Sequence, residues 1–319
     1  MNNRFIKRSG LYLLGCFSLL LNGCIYENLD DCKTYSIHFV YDYNLKFSNI
    51  FSEEATKMNL YVFDEMGNFV EEFQDTRPSF FPGTYNMEIP LPRGEYTFIA
   101  WSGVYPEAYT VEGGSARKEV KLDDLKLRLT ELAAGETSQN LPGLYYGRLT
   151  STTGINKVDT IKLIKNTKTI TVTLLPAENS QTGAPLDKEN YKIWIESPGG
   201  TYDCNNNPQG GVIKYRPYFG KNNGNGGFSV ELNTLRLMTE AVNTLVIETY
   251  YNEPLLRLDL NNVFDDVRIN SFNNLLLQEF LDRQDKYDIV LSGITDDDMF
   301  SSISLTVNGW FIRNQNVHN

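Results

Sequence analysis

Histidine and cysteine are scarce: the 319 residues hold two of the first, His38 and His318, and four of the second, Cys16, Cys24, Cys32 and Cys204. A zinc site or a histidine-based nucleophile relay therefore has little to be built from, and no metal or cofactor is expected. Beyond the N-terminus there is no block of Lys and Arg, and the formal net charge is −11. Most of the surface repels a phosphate backbone, which excludes nucleic acid as a partner. Neither GxGxxG nor GxxxxGK spacing occurs, so no phosphate-cradling loop is legible, and no small-molecule substrate is expected. Long apolar runs are missing too. The longest, Leu11–Leu21, would span about 16 Å as a helix, half of a hydrocarbon core of about 30 Å.

What is present suits a folded chain with sizeable cores: 41% hydrophobic and 22% charged residues. The 19 Tyr and 18 Phe favour β packing, and the length suggests two domains of about 150 residues. At the N-terminus Arg4, Lys7 and Arg8 precede the apolar run, which ends in Leu21-Asn22-Gly23-Cys24. Residues 1–23 read as an export signal. Small Gly23 before Cys24, with Leu21 three positions ahead, resembles the lipobox of bacterial lipoproteins, in which the cysteine thiol is acylated before cleavage. Leu21, Asn22 and Gly23 form the box and Cys24 takes the lipid. Leu13-Leu14-Gly15-Cys16 is a weaker second match, and an ordinary thiol after a conventional signal peptide is the competing reading of Cys24. Removing residues 1–23 leaves 296 residues at −14, and acyl chains, each buried methylene contributing about 0.8 kcal/mol, hold such a protein on a membrane without any basic patch. Cys32 and Cys204 remain. A bridge between them would join opposite ends of the chain, and their spacing supplies no disulfide framework.

From Thr34 the pattern turns to period two. Tyr35, Ile37, Phe39 and Tyr41 share one strand face, with His38 on the other, where it reads as a surface or packing residue. Further strands are expected at Met58–Phe63 and Asn68–Phe73, joined by a turn at 64–67, and at Tyr85–Leu91, Glu95–Trp101, Leu122–Thr130 and Gly143–Thr150. Polar Ser151–Lys157 reads as a boundary near residue 155. Beyond it come a strand pair within Val158–Leu175, then Tyr191–Glu196, Val212–Tyr218, Phe228–Leu237, Leu245–Tyr251, Leu255–Leu260, Tyr287–Leu291 and Ile303–Ile312. Phe272, Leu275, Leu276 and Phe280 lie at helical spacing, so one short helix is expected over Ser271–Asp282 with Ser271 as its cap. The whole reads as an all-β chain: a removed signal at 1–23, a tether at 24–33, one antiparallel sandwich at 34–155 and a second, carrying the helix, at 156–319.

Other candidate sites are weaker. Pro198–Gly227, rich in Gly, Asn and Pro, reads as a long mobile loop. Asp296-Asp297-Asp298 lacks the alternating ligands and Gly turn of a calcium loop and reads as an acidic turn. Trp101, Trp194 and Trp310 are the sugar-platform candidates, but each sits among apolar neighbours in an expected strand, which favours core packing. No pair among the 40 carboxylates forms a specific catalytic constellation, so no enzyme activity is expected.

At this point the chain resembles the FimB-like fimbrial anchor lipoproteins of Bacteroidetes, the anchor subunits of type V pili. The likeness rests on Cys24 followed by Asp31-Cys32, on Ser36 through Asn44, and on Met58-Asn59-Leu60-Tyr61-Val62-Phe63-Asp64 with Gly67. In the second half it rests on Lys165-Asn166-Thr167-Lys168, on Phe280-Leu281-Asp282-Arg283 ahead of Tyr287-Asp288-Ile289, and on Asn308-Gly309-Trp310. Asn22 and Phe280 depart from the usual pattern. The resemblance implies two tandem transthyretin-like sandwiches, a lipid anchor in the outer membrane with the body on the cell surface, and a role in holding a pilus base and limiting its growth. Stalk or accessory subunits would bind by β-strand addition, for which the strand residues Ile303, Leu305 and Val307 are the candidates. The seven residues after Ile312 are too short and polar to donate a strand, so the anchor reads as the end of the assembly. A surface lipoprotein binding glycan or a host ligand is the alternative reading.

Overall fold

Period-two burial decides most of this structure. In the computed structural model, residues 35–76, 85–113, 120–130, 135–177, 185–295 and 300–316 are described. Cys16, the lipobox, Cys24, Cys32 and Asp296–Asp298 lie outside them. Two sheets make up the first half. One contains β10 (Val158–Lys162), β1 (Tyr35–Val40) and β4 (Asn86–Ile89), in that order. The other contains β11 (Ile164–Lys165), β9 (Tyr145–Thr152), β5 (Glu95–Ser102), β2 (Met58–Asp64) and β3 (Phe69–Asp75). Ile37 and Phe39 of β1, Ile89 of β4 and Ile161 of β10 meet Met58, Leu60 and Val62 of β2 and Phe98 of β5 in one core. The alternate residues of the same central strands, Tyr61, Phe63, Ile99, Trp101 and Tyr146, face the opposite way into the second and larger core. The sheet of β2, β5 and β9 is thus buried on both faces, which is why Met58–Phe63 is buried throughout and apolar except for Asn59, whose amide donates to Glu72.

Three sheets complete the structure. The largest runs β17 (Phe219–Asn222), β18 (Phe228–Leu235), β12 (Thr167–Pro176), β21 (Lys286–Ile294), β22 (Phe300–Val307) and β23 (Trp310–Asn316). Another runs β20 (Pro254–Asp259), β19 (Thr244–Thr249), β13 (Tyr191–Pro198), β16 (Val212–Tyr215) and β8 (Glu136–Thr137). The smallest runs β15 (Pro208–Gln209), β14 (Thr201–Tyr202), β7 (Lys126–Leu129) and β6 (Tyr109–Glu112). Pairing is antiparallel except between β1 and β10, β12 and β21, and β16 and β8.

Several expectations change. Val158–Lys165, assigned by sequence to the second half, pairs with β1 and β9 of the first, so Ser151–Lys157 is the β9–β10 connection within one set of sheets. First-half β7 and β8 in turn pair with β14 and β16. Instead of one short helix after Leu260 there are two, α2 (Leu260–Ser271) and α3 (Leu277–Arg283), besides a single turn, α1 (Phe51–Glu54), in the first half. Asp259 caps α2 by accepting from the N–H groups of Asn261 and Asn262, and Leu260, Val263, Phe264 and Val267 form its buried stripe. Ser271 ends that helix and does not start the next. Pro198–Gly227 is no mobile loop. It carries β14 to β17, buries Tyr202, Cys204 and Tyr215, and is pinned by Asp203, whose carboxylate accepts from the N–H groups of Asn205 and Asn207. Asn206 adopts φ +64° and exchanges buried amide hydrogen bonds with Asn166, at 2.5 and 3.0 Å.

Candidate functional site

Two of the sequence blocks that carried the likeness, Lys165–Lys168 and Phe280–Arg283, are more than a hundred residues apart and meet in space. Lys165 ends β11 and Lys168 lies in β12, while α3 delivers Asp282 and Arg283 from the other side. The Lys165 Nζ bridges Glu54 of α1 at 3.0 Å and Asp285 at 2.9 Å. Glu54 also accepts from the Tyr145 hydroxyl at 2.5 Å. Lys168, fully buried, donates to the carbonyls of Asp282 at 3.0 Å and Gln284 at 2.8 Å. The Asp282 carboxylate holds Arg236 through two bonds of 2.6 and 2.7 Å and accepts a third from Gln278. Arg283 lies 4.2 Å over the Tyr43 ring and 4.8 Å over that of Phe47.

Burial and pairing compete at each of these groups. Burial alone would raise the Asp285 pKa, but Lys165 beside it holds the carboxyl below its usual value. Glu54 is lowered likewise, with burial opposing the Tyr145 and Lys165 contacts. Burial pushes Lys168 down to about 7, because its direct partners are carbonyls and its nearest carboxylates are already engaged. The cluster crosses from the loop and helix of residues 42–54 to β12 and α3, so it braces the two halves against each other. The sequence identified its residues as motifs but could not reveal that they touch.

The proposed assembly residues fall differently. Ile303, Leu305 and Val307 are in β22, which is paired on one side with β21 and on the other with β23, and their side chains are in the core. No partner strand can add beside them. The expected strand Ile303–Ile312 is a hairpin, turned by Asn308 at φ +50° and Gly309 at φ +80°, and residues 313–316 continue β23. β23 is therefore the edge. It has one charged residue, Arg313, against three carboxylates (Glu71, Glu72 and Asp75) in the edge strand β3 of the same length. Its Trp310 and Phe311 are 48% and 59% exposed. An edge with so few charges to protect it is open to strand addition.

Of the other candidates, Trp101 and Trp194 are buried, and Lys214 and Arg216 lie over the Trp194 ring. The His38 Nδ1 lies 3.0 Å from the Tyr85 carbonyl. Cys204 is a buried free thiol whose Sγ is 3.8 Å from Asp123. Among the described residues no cluster of His, Cys, Asp and Glu is arranged to hold a metal, and no helix is long and apolar enough to cross a membrane.

The fold is all-β, with a braced junction and a sparsely charged edge at β23. The model of the fimbrillin-A associated anchor proteins Mfa1 and Mfa2 matches residues 29–316, and the chain belongs to this family of fimbrial anchors. Family membership makes it a fimbria-associated protein of the cell surface, outside any known enzyme family. A solved structure described as putative polysaccharide binding proteins from Bacteroides thetaiotaomicron is 27% identical, with a TM-score of 0.77 over 90% of this chain and 99% of that one. A putative adhesin from the same organism is 24% identical, with a TM-score of 0.75 over 88% and 97%. The fimbrial anchor protein Mfa2 from Porphyromonas gingivalis is 20% identical, with a TM-score of 0.67 over 89% and 99%. No curated protein matches the chain.

Proposed function

We propose that this protein anchors a fimbria. Residues 1–23 are removed, Cys24 is acylated, residues 24–33 tether the body to the outer membrane, and two transthyretin-like sandwiches present an edge to stalk or accessory subunits. The filament base is held there and its length limited. The observation that carries this reading is the family match across residues 29–316, which takes in both halves. The open edge of β23 supports a β-strand contact, and it is to this strand, not to Ile303, Leu305 and Val307, that the contact is assigned. Anchoring and strand pairing are separate contacts and can be separated by experiment. Deleting the gene should leave stalk subunits made but shed into the medium as longer filaments, and Cys24→Ala should bind stalk subunits without restoring retention. Filaments that stay cell-bound at normal length in the deletion strain would refute the reading.

A further inference from the structure

The loops that follow β5 and precede β9 form the walls of an open groove of about 580 Å³, lined by Tyr105, Glu107, Ala108, Gln139, Asn140 and Pro142. It shares no residue with the junction or with β23. Both walls are fixed through their backbones. Gly103 sits at φ +82°, where a Cβ would stand 1.8 Å from the Gly143 carbonyl oxygen, so only glycine lets the loops approach this closely. The Tyr109 hydroxyl donates to the Pro142 carbonyl at 2.8 Å, and the Leu141 N–H donates to Asn233 Oδ1 at 2.9 Å. The N–H groups of Ala108 and Tyr109 both donate to the Tyr105 carbonyl, and the Tyr105 hydroxyl is held 2.7 Å from Thr56 Oγ1.

Three of the polar side chains lining this frame are unengaged. Glu107, Gln139 and Asn140 find no side-chain hydrogen bond or ion pair among the described residues. A carboxamide offers two donors and an acceptor together, the combination that neighbouring sugar hydroxyls complement. Tyr105, Ala108 and Pro142 add apolar surface suited to the C–H face of a pyranose ring. The lining holds one formal charge, and it is negative, which disfavours phosphorylated, sulfated or uronate ligands. A groove open to solvent suits a polymer segment better than an enclosed small molecule.

We propose that this groove binds an uncharged polysaccharide, with Tyr105 as its platform and Glu107, Gln139 and Asn140 bonding to ring hydroxyls. Pre-set walls mean that binding orders only the side chains. The test is affinity electrophoresis of the detergent-solubilised full protein through gels containing dextran, mannan, xylan or β-glucan, with dextran sulfate as the anionic comparison. At least one uncharged polymer should retard the protein. The double substitution Gln139→Ala with Asn140→Ala should weaken that retardation about tenfold at unchanged melting temperature, Tyr105→Ala should abolish it, and Tyr105→Phe should keep it. Free migration through every uncharged polymer, retardation stronger in dextran sulfate than in dextran, or variants retarded like the parent would each overturn the proposal. The assay contains no fimbrial subunit, so its outcome is independent of the anchoring experiment.

Discussion

At the scale of single residues, the junction cluster concentrates the consequences. Asp282 is buried and satisfies Arg236 twice. Asp282→Ala leaves a guanidinium without its counter-ion, and breaking such a pair costs about 3–5 kcal/mol, a large part of a typical stability of about 5–15 kcal/mol. Denaturant titration should show that loss, whereas a shift below about 1 kcal/mol would mean that solvent relaxes into the site. Lys168 sets a pH dependence. Its folded pKa of about 7 lies below the unfolded value of about 10.4, so between these limits the unfolded chain binds more protons. The charged amine therefore weighs against folding at pH 7 and below, and the penalty fades as pH climbs toward 10. The stability of the parent minus that of Lys168→Met should rise with pH over this window, by up to about 1.4 kcal/mol per unit. Taking the difference between the two proteins cancels the buried tyrosines, whose raised pKa values act on both. A difference flat from pH 7 to 9.5 would show that Lys168 stays charged in the fold.

At the scale of elements, α2 and β23 carry the expectations. Asp259→Ala removes the bonds to two helix N–H groups and should cost about 1 kcal/mol, readable as a lower melting temperature. An unchanged melting temperature would mean that tertiary packing alone holds α2. In β23, Phe311 is exposed, and a charge there should oppose an incoming strand while leaving the fold intact. Phe311→Lys should weaken binding of purified stalk subunits about tenfold without altering thermal stability. Equal binding would move the contact to another edge.

At the scale of the whole molecule, the two halves share structure that two independent domains would keep separate. Tyr61, Phe63, Ile99 and Trp101 are first-half residues in the core of the second half, and β7 and β8 pair across the same divide. Calorimetry should therefore show residues 35–319 unfolding in one transition. Two resolved transitions would mean that the junction cluster and the shared core hold less strongly than their burial indicates. In the anchoring role proposed above, this coupling would pass load from one half of the body to the other.

What the sequence by itself determined is what local patterning carries. Alternation located most strands, because a side chain's face on a strand depends only on its parity, and the junction's residues stood out as blocks before anything placed them together. Misreadings fell where a local signal was ambiguous. The sequence reads as one helix starting at Ser271, whereas Asp259 caps an earlier one that Ser271 ends, and Asn308-Gly309 is a hairpin turn inside what reads as one strand. Tertiary structure decided the rest. Whether Val158–Lys165 joins the first half, whether Ile303, Leu305 and Val307 lie at an edge, and whether Pro198–Gly227 is ordered all depend on which strands pair. Pairing is chosen by contacts between segments distant in the chain, and the period of two is the same whichever neighbour is chosen.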